Sequence, residues 1–127
     1  MPDESAVRHT IEQYWKRFSA GDVDGLVALF TDDATVEDPV GTPVHHGIGE
    51  IRAFYESAQA LADSIELRSA GVTEVNGDQA AFAMEIRPVI GGETYLLHAI
   101  DVMTFAEDGR ITSMRAFCQQ EKMRPAD

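Results

Sequence analysis

The second half of the chain constrains the fold most strongly, because long β-type segments alternate there with short turn sequences. The breaks "NGD", "GGE" and "EDGR" have the Gly, Asn and Asp residues typical of hairpin turns. Since strands joined by hairpins pair antiparallel, this half predicts an antiparallel sheet. The predicted strands lie near Ile65–Arg68, Val72–Val75, Gln79–Val89, Glu93–Phe105 and Arg110–Cys118.

Apolar residues in the first half recur at the spacing of amphipathic helices. The segment "ESAVRHTIEQYWKRFSAGD" has one apolar face and a natural stop at Gly21. Asp22 is placed to cap a second short helix, "VDGLVALF", and "EIRAFYESAQALA" predicts a third. Three helices followed by a sheet predict one α+β domain over residues 1–127, with the helices packed on one face of the sheet.

The remaining segments predict little regular structure. "TDD" has the composition of a turn, "ATVED" predicts a short strand that ends at Pro39, and "GTPVHHGIG" predicts a loop. The tail "QQEKMRPAD" is polar and is expected to fray.

Charge and composition exclude several classes of partner. The chain has 127 residues and a net charge of −12, which disfavours nucleic acid and anionic membrane surfaces because phosphate binding requires a basic patch. The charge of the whole chain therefore favours a neutral small ligand. No apolar segment is long enough to insert into a membrane. The single cysteine, Cys118, cannot form an internal disulfide, which fits a cytoplasmic protein.

Asp101 is unusual for its position, since it lies among apolar residues in the longest predicted strand. No Lys or Arg occurs between Pro88 and Gly109. Both faces of this strand are mainly apolar, so Asp101 is expected to be buried whichever face looks inward. Burial disfavours the charged form of a carboxyl group, so a buried carboxylate without a partner becomes protonated. Asp101 is therefore a candidate neutral donor; the alternative is that it meets a distant Arg or caps a loop.

Two further polar residues complete a possible site. Asp38 precedes Pro39, which favours extended geometry at the end of a strand, and its apolar neighbours predict a partly desolvated but ionised base. When two carboxyl groups lie in unlike environments, one neutral and one charged, the neutral one can act as the catalytic acid and the charged one as the base. Tyr14 lies on the apolar face of the first helix and is a candidate second donor. The alternative is a core tyrosine that bonds to a backbone carbonyl.

These residues also carry a family resemblance. The segments "YWKRFSAGDVDGLVALFTDDATVEDPVGTPVHHG", "AFY" and "IDVMTFAEDGRITSMRAF" follow one another in the order found in bacterial Δ5-3-ketosteroid isomerases. The chain resembles that family from about Ile11 to Phe117. The resemblance implies the nuclear-transport-factor-2-like fold, a cone in which three helices wrap a strongly curved, mostly antiparallel sheet around an apolar pocket. It also implies a homodimer that pairs through the sheet.

The resemblance further implies a steroid delta-isomerase that moves a double bond from the β,γ to the α,β position of a 3-keto steroid. Asp38 corresponds to the general base, and Tyr14 and Asp101 to the two donors of the oxyanion hole. No metal or cofactor is expected. Further substrate-binding or supporting residues are implied at Phe54, Tyr55, Phe82, Met84, Met114, Ala116 and Cys118.

The sequence departs from the family pattern at two of its positions. Phe30 replaces a third tyrosine of the hydrogen-bonded group, which predicts a shorter network, and Cys118 replaces a large aromatic residue of the pocket.

Two other functions remain open on the same fold. One is a carrier of an apolar ligand that performs no chemistry. The other is a related enzyme, such as a polyketide cyclase or an epoxide hydrolase.

Overall fold

The computed structural model describes residues 1–126, which form three α-helices packed against a curled, mixed sheet. This confirms the predicted fold class. The helices are α1 (Glu4–Ser19), α2 (Val23–Val27) and α3 (Gly47–Gln59). The strands are β1 (Phe30–Glu37), β2 (His45–His46), β3 (Ser64–Asn76), β4 (Gln79–Ile90), β5 (Glu93–Phe105), β6 (Ile111–Phe117) and β7 (Arg124–Pro125).

Local sequence signals fix the ends of the first two helices. The Asp3 carboxylate accepts a hydrogen bond from the backbone N–H of Ala6 at the start of α1. The chain leaves α1 through Gly21, whose φ of +70° is strained for any other residue type. The Asp22 carboxylate then accepts from the N–H of Gly25, as predicted, and caps α2.

The sheet has the order β2-β1-β6-β5-β4-β3, and β7 pairs with β5 beyond the end of β6. The pairs from β3 to β6 are antiparallel, whereas β1 runs parallel to β6. This parallel pair brings the end of β1, where Asp38 follows Glu37, next to the end of β6. Hairpin signals do not predict it, because its two strands are far apart in the sequence.

Four local predictions differ from the structure. The predicted strands Ile65–Arg68 and Val72–Val75 are one strand, β3, whose pairing with β4 shifts register between Ser69 and Thr73. The predicted "TDD" turn belongs to β1, where a register shift relative to β6 accommodates it.

The other two differences follow from tertiary pairing. Part of the predicted "GTPVHHGIG" loop forms β2 and the first turn of α3, because β2 pairs with β1. The tail is not frayed over the described residues: it forms a short 3-10 helix (Gln120–Lys122) and then β7.

The core lies between the inner face of the sheet and the three helices. Alternation along β5 places Leu97, Ala99, Asp101, Met103 and Phe105 on this buried face. Ile100, on the opposite face, is 51% exposed. No helix within residues 1–126 has both the length and the apolar character needed to cross a bilayer.

Candidate active site

Asp101 lies in the middle of the sheet with apolar neighbours on every side. Phe82 of β4 and Ala116 of β6 are its direct cross-strand partners. The side chain is fully buried, and neither carboxyl oxygen has a hydrogen-bond partner within residues 1–126. Desolvation, assisted by the negative charge of Asp38, raises the pKa of Asp101 well above its ordinary value. Burial therefore favours the protonated form of Asp101, whose O–H group has no acceptor among residues 1–126.

Asp38 is held at the end of β1 by bonds on either side of it. The Glu37 carboxylate accepts from Arg115 Nε at 3.1 Å and from the Gly41 N–H at 3.0 Å. The Val40 N–H donates to the carbonyl oxygen of Ala116 at 2.8 Å. Side chains alternate in direction along an extended chain. Because the Glu37 side chain points outward, the next side chain, that of Asp38, points inward.

Partial burial tunes the acidity of Asp38. Desolvation raises its pKa from 3.8 to about 6. The group is therefore mainly ionised at pH 7 but more basic than an exposed aspartate. Burial thus raises the pKa of both carboxyl groups, and fully buried Asp101 is shifted further than Asp38. The division into one charged base and one neutral donor stays a prediction.

Tyr14 does not bond to a backbone carbonyl but to a second tyrosine. Its Oη lies 2.9 Å from Oη of Tyr55 on α3, and both rings are buried. Desolvation, followed by the nearby charges of Tyr55, Asp101 and Asp38, raises the pKa of Tyr14 well above its ordinary value. Tyr14 is therefore a neutral hydroxyl group at pH 7, and within residues 1–126 its hydrogen-bond partner is Tyr55.

Aromatic rings hold Tyr55 in place. Its ring makes edge or tilted contacts with Phe18, Phe30 and Phe54, at centroid distances of 6.0, 6.0 and 5.0 Å respectively. Phe30 has no hydroxyl group, so the tyrosine chain ends at Tyr55. The shorter network that the sequence predicted is therefore present.

A cavity of about 710 Å³ opens between β5, the end of β6 and the tail. Its lining includes Pro39, which follows Asp38, and Ala99 of the inner face of β5. It also includes residues of the outer face of the sheet: Ala83, His98, Ile100 and Phe117. Tyr14, Asp38 and Asp101 themselves do not border it. Cys118 also borders the cavity. Desolvation, and to a lesser degree the charges of Asp38 and Asp101, raises the pKa of its thiol to about 11. The volume falls in the range of about 300–1,000 Å³ that is usual for small-molecule sites.

Comparison with known proteins places the chain in a family. Residues 11–114 match the SnoaL-like domain. The chain belongs to the SnoaL-like family. This family lies within the nuclear-transport-factor-2-like superfamily, so the resemblance seen in the sequence is confirmed.

Individual relatives of this SnoaL-like protein include two kinds of enzyme. It is 39% identical over 111 residues to the steroid delta-isomerase of Nocardioides simplex, covering 87% of this chain and 88% of that protein. It is 31% identical over 77 residues to the epoxide hydrolase LasB of Streptomyces lasalocidi, covering 61% of this chain and 26% of that protein. These relatives support an enzyme.

A solved structure gives the same result for the fold. SalBIII, an epoxide hydrolase/cyclase-like enzyme in pyran ring formation of the polyether salinomycin, superposes with a TM-score of 0.86. The two chains are 28% identical, and the match covers 98% of this chain and 99% of that one. The same fold therefore carries at least two chemistries among its relatives.

The SnoaL-like fold distributes the other predicted pocket residues unevenly. Cys118 borders the cavity, whereas Phe54 and Tyr55 support the tyrosine pair from α3. The remaining predicted residues are buried on the inner face of the sheet around Asp101, and they do not border this cavity: Phe82, Met84, Met114 and Ala116. These four residues surround Asp101 with apolar side chains, and their role in binding a substrate stays a prediction.

Several residues that border the cavity were not predicted from the sequence. Leu97 and Ala99 share a face with Asp101, so the alternation of β5 was a signal that could have identified them. Gln119, Lys122 and Arg124 come from the tail, whose polar composition carries no such signal. Within residues 1–126, no three His, Cys, Asp or Glu side chains are grouped as metal ligands.

Proposed function

We propose that this protein is a steroid Δ5–Δ4 isomerase that acts on 3-keto steroids without a metal or a cofactor. The observation that carries the proposal is Asp101, a fully buried acid whose oxygens have no partner within residues 1–126. Leaving such a group unsatisfied costs stability unless a ligand uses it. The relative from Nocardioides simplex, which bears the name steroid delta-isomerase, supports the same reaction.

The reaction needs one base and two donors. The Asp38 carboxylate removes a proton from carbon 4, so that a C–H bond breaks, an O–H bond forms and the electron pair moves onto the 3-keto oxygen. Tyr14 and Asp101 donate hydrogen bonds to the resulting dienolate oxygen. Asp38 then returns the proton to carbon 6 on the same face, which restores the ketone and the base. These roles are those established for ketosteroid isomerases.

The expected rate accelerations agree with these roles of a base and two donors. A positioned base accelerates a reaction by about 10²–10⁴-fold, and removing one oxyanion donor typically costs about 10²–10³-fold. A pKa of about 6 leaves Asp38 ionised at neutral pH yet basic enough to accept a proton from carbon. The neutral state of Asp101 avoids repulsion between its carboxyl group and the developing oxyanion.

We propose that the protein works as a cytoplasmic homodimer. The outer face of the sheet supports this assembly, because Ile100 and Phe117 are direct cross-strand partners and are 51% and 46% exposed. Two adjacent large apolar side chains in water are unfavourable, and a second copy of the chain would cover them.

Epoxide opening is a second candidate, because SalBIII superposes over nearly the whole chain. Asp101 would donate its proton to the epoxide oxygen while Asp38 deprotonates the attacking hydroxyl group. The Tyr14–Tyr55 pair favours the isomerase, since a neutral hydroxyl donor in addition to Asp101 suits an oxyanion. A carrier without chemistry has no use for the unsatisfied Asp101.

The deciding experiment follows the absorbance of the conjugated enone after 5-androstene-3,17-dione is added to the purified protein. We expect multiple turnovers that Asp38→Asn nearly abolishes. Turnover of a linear hydroxy-epoxide with no change in the steroid would instead favour the epoxide reaction. Binding of the steroid without turnover of either compound would instead indicate a carrier that performs no chemistry.

A further inference from the structure

Trp15 is the single tryptophan of the chain, and its indole N–H has no hydrogen-bond partner within residues 1–126. Nε1 is buried, although the residue as a whole is only partly buried. Among residues 1–126, the other buried side-chain nitrogen or oxygen atoms without a partner are the two carboxyl oxygens of Asp101. The proposed reaction uses Asp101 and gives no role to Trp15.

The direction of the indole N–H is unusual for a tryptophan at the edge of a core. Such a residue normally keeps its hydrocarbon part in the apolar interior and directs its N–H toward water or a buried acceptor. Trp15 buries the N–H without an acceptor while part of the residue stays exposed. A buried donor that lacks an acceptor lowers stability, so this direction is explained if a ligand supplies the acceptor.

Two contacts fix the place of the indole in the fold. Ser19 follows Trp15 by one helical turn and lies on the same face of α1. Its Oγ accepts a hydrogen bond from the Leu67 N–H of β3 at 2.9 Å. The Trp15 ring packs edge-on against Phe82 of β4, with ring centroids 5.5 Å apart and planes at 84°. The indole therefore lies over β3 and β4.

Phe82 separates the two groups that lack partners. It pairs with Thr73 of β3 on one side and with Asp101 of β5 on the other. Adjacent strands are about 4.8 Å apart, so the indole and the Asp101 carboxyl group are roughly 5–10 Å apart along the inner face. Each hydrogen bond spans only about 3 Å. A rigid ligand with an oxygen at each end of an apolar body therefore fits this spacing better than a single oxygen does.

The side chains around Phe82 and Asp101 can adapt to such a ligand. Met84, Met103 and Met114 are buried on the same face, and Met103 and Met114 are direct cross-strand partners. Methionine is unbranched and flexible, so it repacks around different shapes more easily than branched residues do. A flat apolar body can therefore displace these side chains without movement of the strands.

We propose that the Trp15 indole donates a hydrogen bond to a second oxygen of the substrate, a keto or hydroxyl group at the end of the apolar body opposite the reacting carbonyl. Trp15 is then a specificity-determining residue that distinguishes substrates with an oxygen at both ends from those with one. This inference rests on the proposed function, because it assigns the far end of the same substrate.

The single tryptophan allows the donor to be observed directly, since it gives one indole N–H signal in a ¹H–¹⁵N correlation spectrum. The test compares 4-androstene-3,17-dione with 4-androsten-3-one, two reaction products that differ in the oxygen at carbon 17. We expect the dione to move the indole proton signal downfield, as a new hydrogen bond does, and the 3-one to move it much less. Equal movement with both ligands would overturn the proposal. So would an indole signal that stays upfield with both, since the N–H would then point at the Phe82 ring.

Kinetics provides an independent measure of the same bond. Trp15→Phe removes the N–H and keeps an aromatic ring against Phe82. The preference for 5-androstene-3,17-dione over 5-androsten-3-one is the ratio of their kcat/KM values. We expect it to fall roughly twofold to tenfold in Trp15→Phe, the effect of one hydrogen bond. An unchanged ratio would overturn the proposal.

Tyr95→Phe is the matched control, because it also removes one polar group from an aromatic ring. The Tyr95 hydroxyl group is exposed and donates to Glu93 at the start of β5. The ratio of kcat/KM values in this variant should equal that of the wild type. An equal fall in Tyr95→Phe and Trp15→Phe would overturn the role of Trp15.

Failure of the proposed function gives a different pattern. If the steroids bind without turnover, an indole shift specific to the dione supports Trp15 as a ligand-binding residue without the isomerase. Turnover with an indole signal that does not respond leaves the isomerase and overturns only the role of Trp15. If neither steroid moves any signal of the spectrum, the substrate class is wrong and the role of Trp15 is rejected with it.

Discussion

Oη of Tyr14 and Oη of Tyr55 lie 2.9 Å apart in the core, so one hydroxyl group donates to the other. The pair has two hydroxyl hydrogens, and this bond uses one of them. If Tyr55 donates to Tyr14, the hydroxyl hydrogen of Tyr14 is free to bond to a ligand. The aromatic rings around Tyr55 keep the Tyr55 side chain in place as the supporting partner. The two tyrosines then differ in function although each is buried.

Removing each hydroxyl group should therefore have unequal effects. Tyr14→Phe deletes a donor to the oxyanion, and we expect kcat to fall by about 10²–10³-fold. Tyr55→Phe removes only the supporting bond, of about 0.5–1.5 kcal/mol, which corresponds to a loss of roughly twofold to tenfold. Steady-state kinetics on 5-androstene-3,17-dione measures both. Equal losses would show that the two hydroxyls act as one unit.

The pH dependence of the reaction should report Asp38. Catalysis requires its ionised form, and burial raises its pKa to about 6. We expect kcat/KM to rise with pH, about tenfold per pH unit below 6, and to level off above that value. A pH profile from 4.5 to about 8 tests this. A midpoint near 4, the value for an exposed aspartate, would contradict the desolvated site.

The same pKa predicts that Asp38 lowers stability. Because its pKa is higher in the folded state than the ordinary 3.8, folding favours the protonated form. The free energy of unfolding should thus fall as pH rises from about 4 through 6, by at most about 3 kcal/mol. Asp38→Asn should abolish this loss, and urea unfolding at pH 8 should show a more stable protein.

A surface variant provides the control for that comparison. Asp32→Asn removes a charge from β1, the strand that Asp38 follows, but Asp32 is exposed. It should alter neither turnover nor stability by more than about 0.5 kcal/mol. Asp38→Asn should retain less than a tenth of the wild-type turnover; greater activity would mean that the base lies elsewhere.

Asp101 should determine the preference for a ligand that imitates the dienolate. The phenolic steroid equilenin places an acidic oxygen where the dienolate oxygen would lie, so it should bind more tightly than a ketone product of similar shape. Asp101→Ala should weaken phenol binding and lower turnover together, whereas Asp101→Asn keeps a donor and should do less harm. Fluorescence titration gives the affinities. Equal binding of equilenin by all three proteins would make Asp101 purely structural.

The exposed apolar pair on the outer face predicts the assembly. Light scattering of the wild type at micromolar concentration should give the mass of a dimer. Ile100→Glu should shift the mass toward the monomer, because a charge would then be buried between the two copies. Leu61→Glu is a suitable control, since Leu61 is exposed at the end of α3 and away from this face. A monomeric wild type would contradict the prediction.

The sequence by itself determined the local elements and the chemical character of the site. Repeating apolar spacing and the hairpin turns predicted α1, β4 and β5 close to their observed bounds, because these signals act between residues near in sequence. The Asp22 cap predicted the start of α2, which ends at Val27 rather than Phe30. The absence of any cation near Asp101 and the apolar residues around it predicted a protonated acid. Family resemblance then implied its partners, Tyr14 and Asp38.

Only the tertiary structure decided how these groups meet. Both faces of β5 are apolar, so the choice of buried face came from packing against the helices, which enclosed Asp101 and exposed Ile100. The parallel pairing of β1 with β6 set Asp38 beside the end of β6, and the pairing of β7 with β5 folded the tail back onto the sheet. Such contacts join residues distant in the chain, and their free energy exists only once the intervening segments have folded.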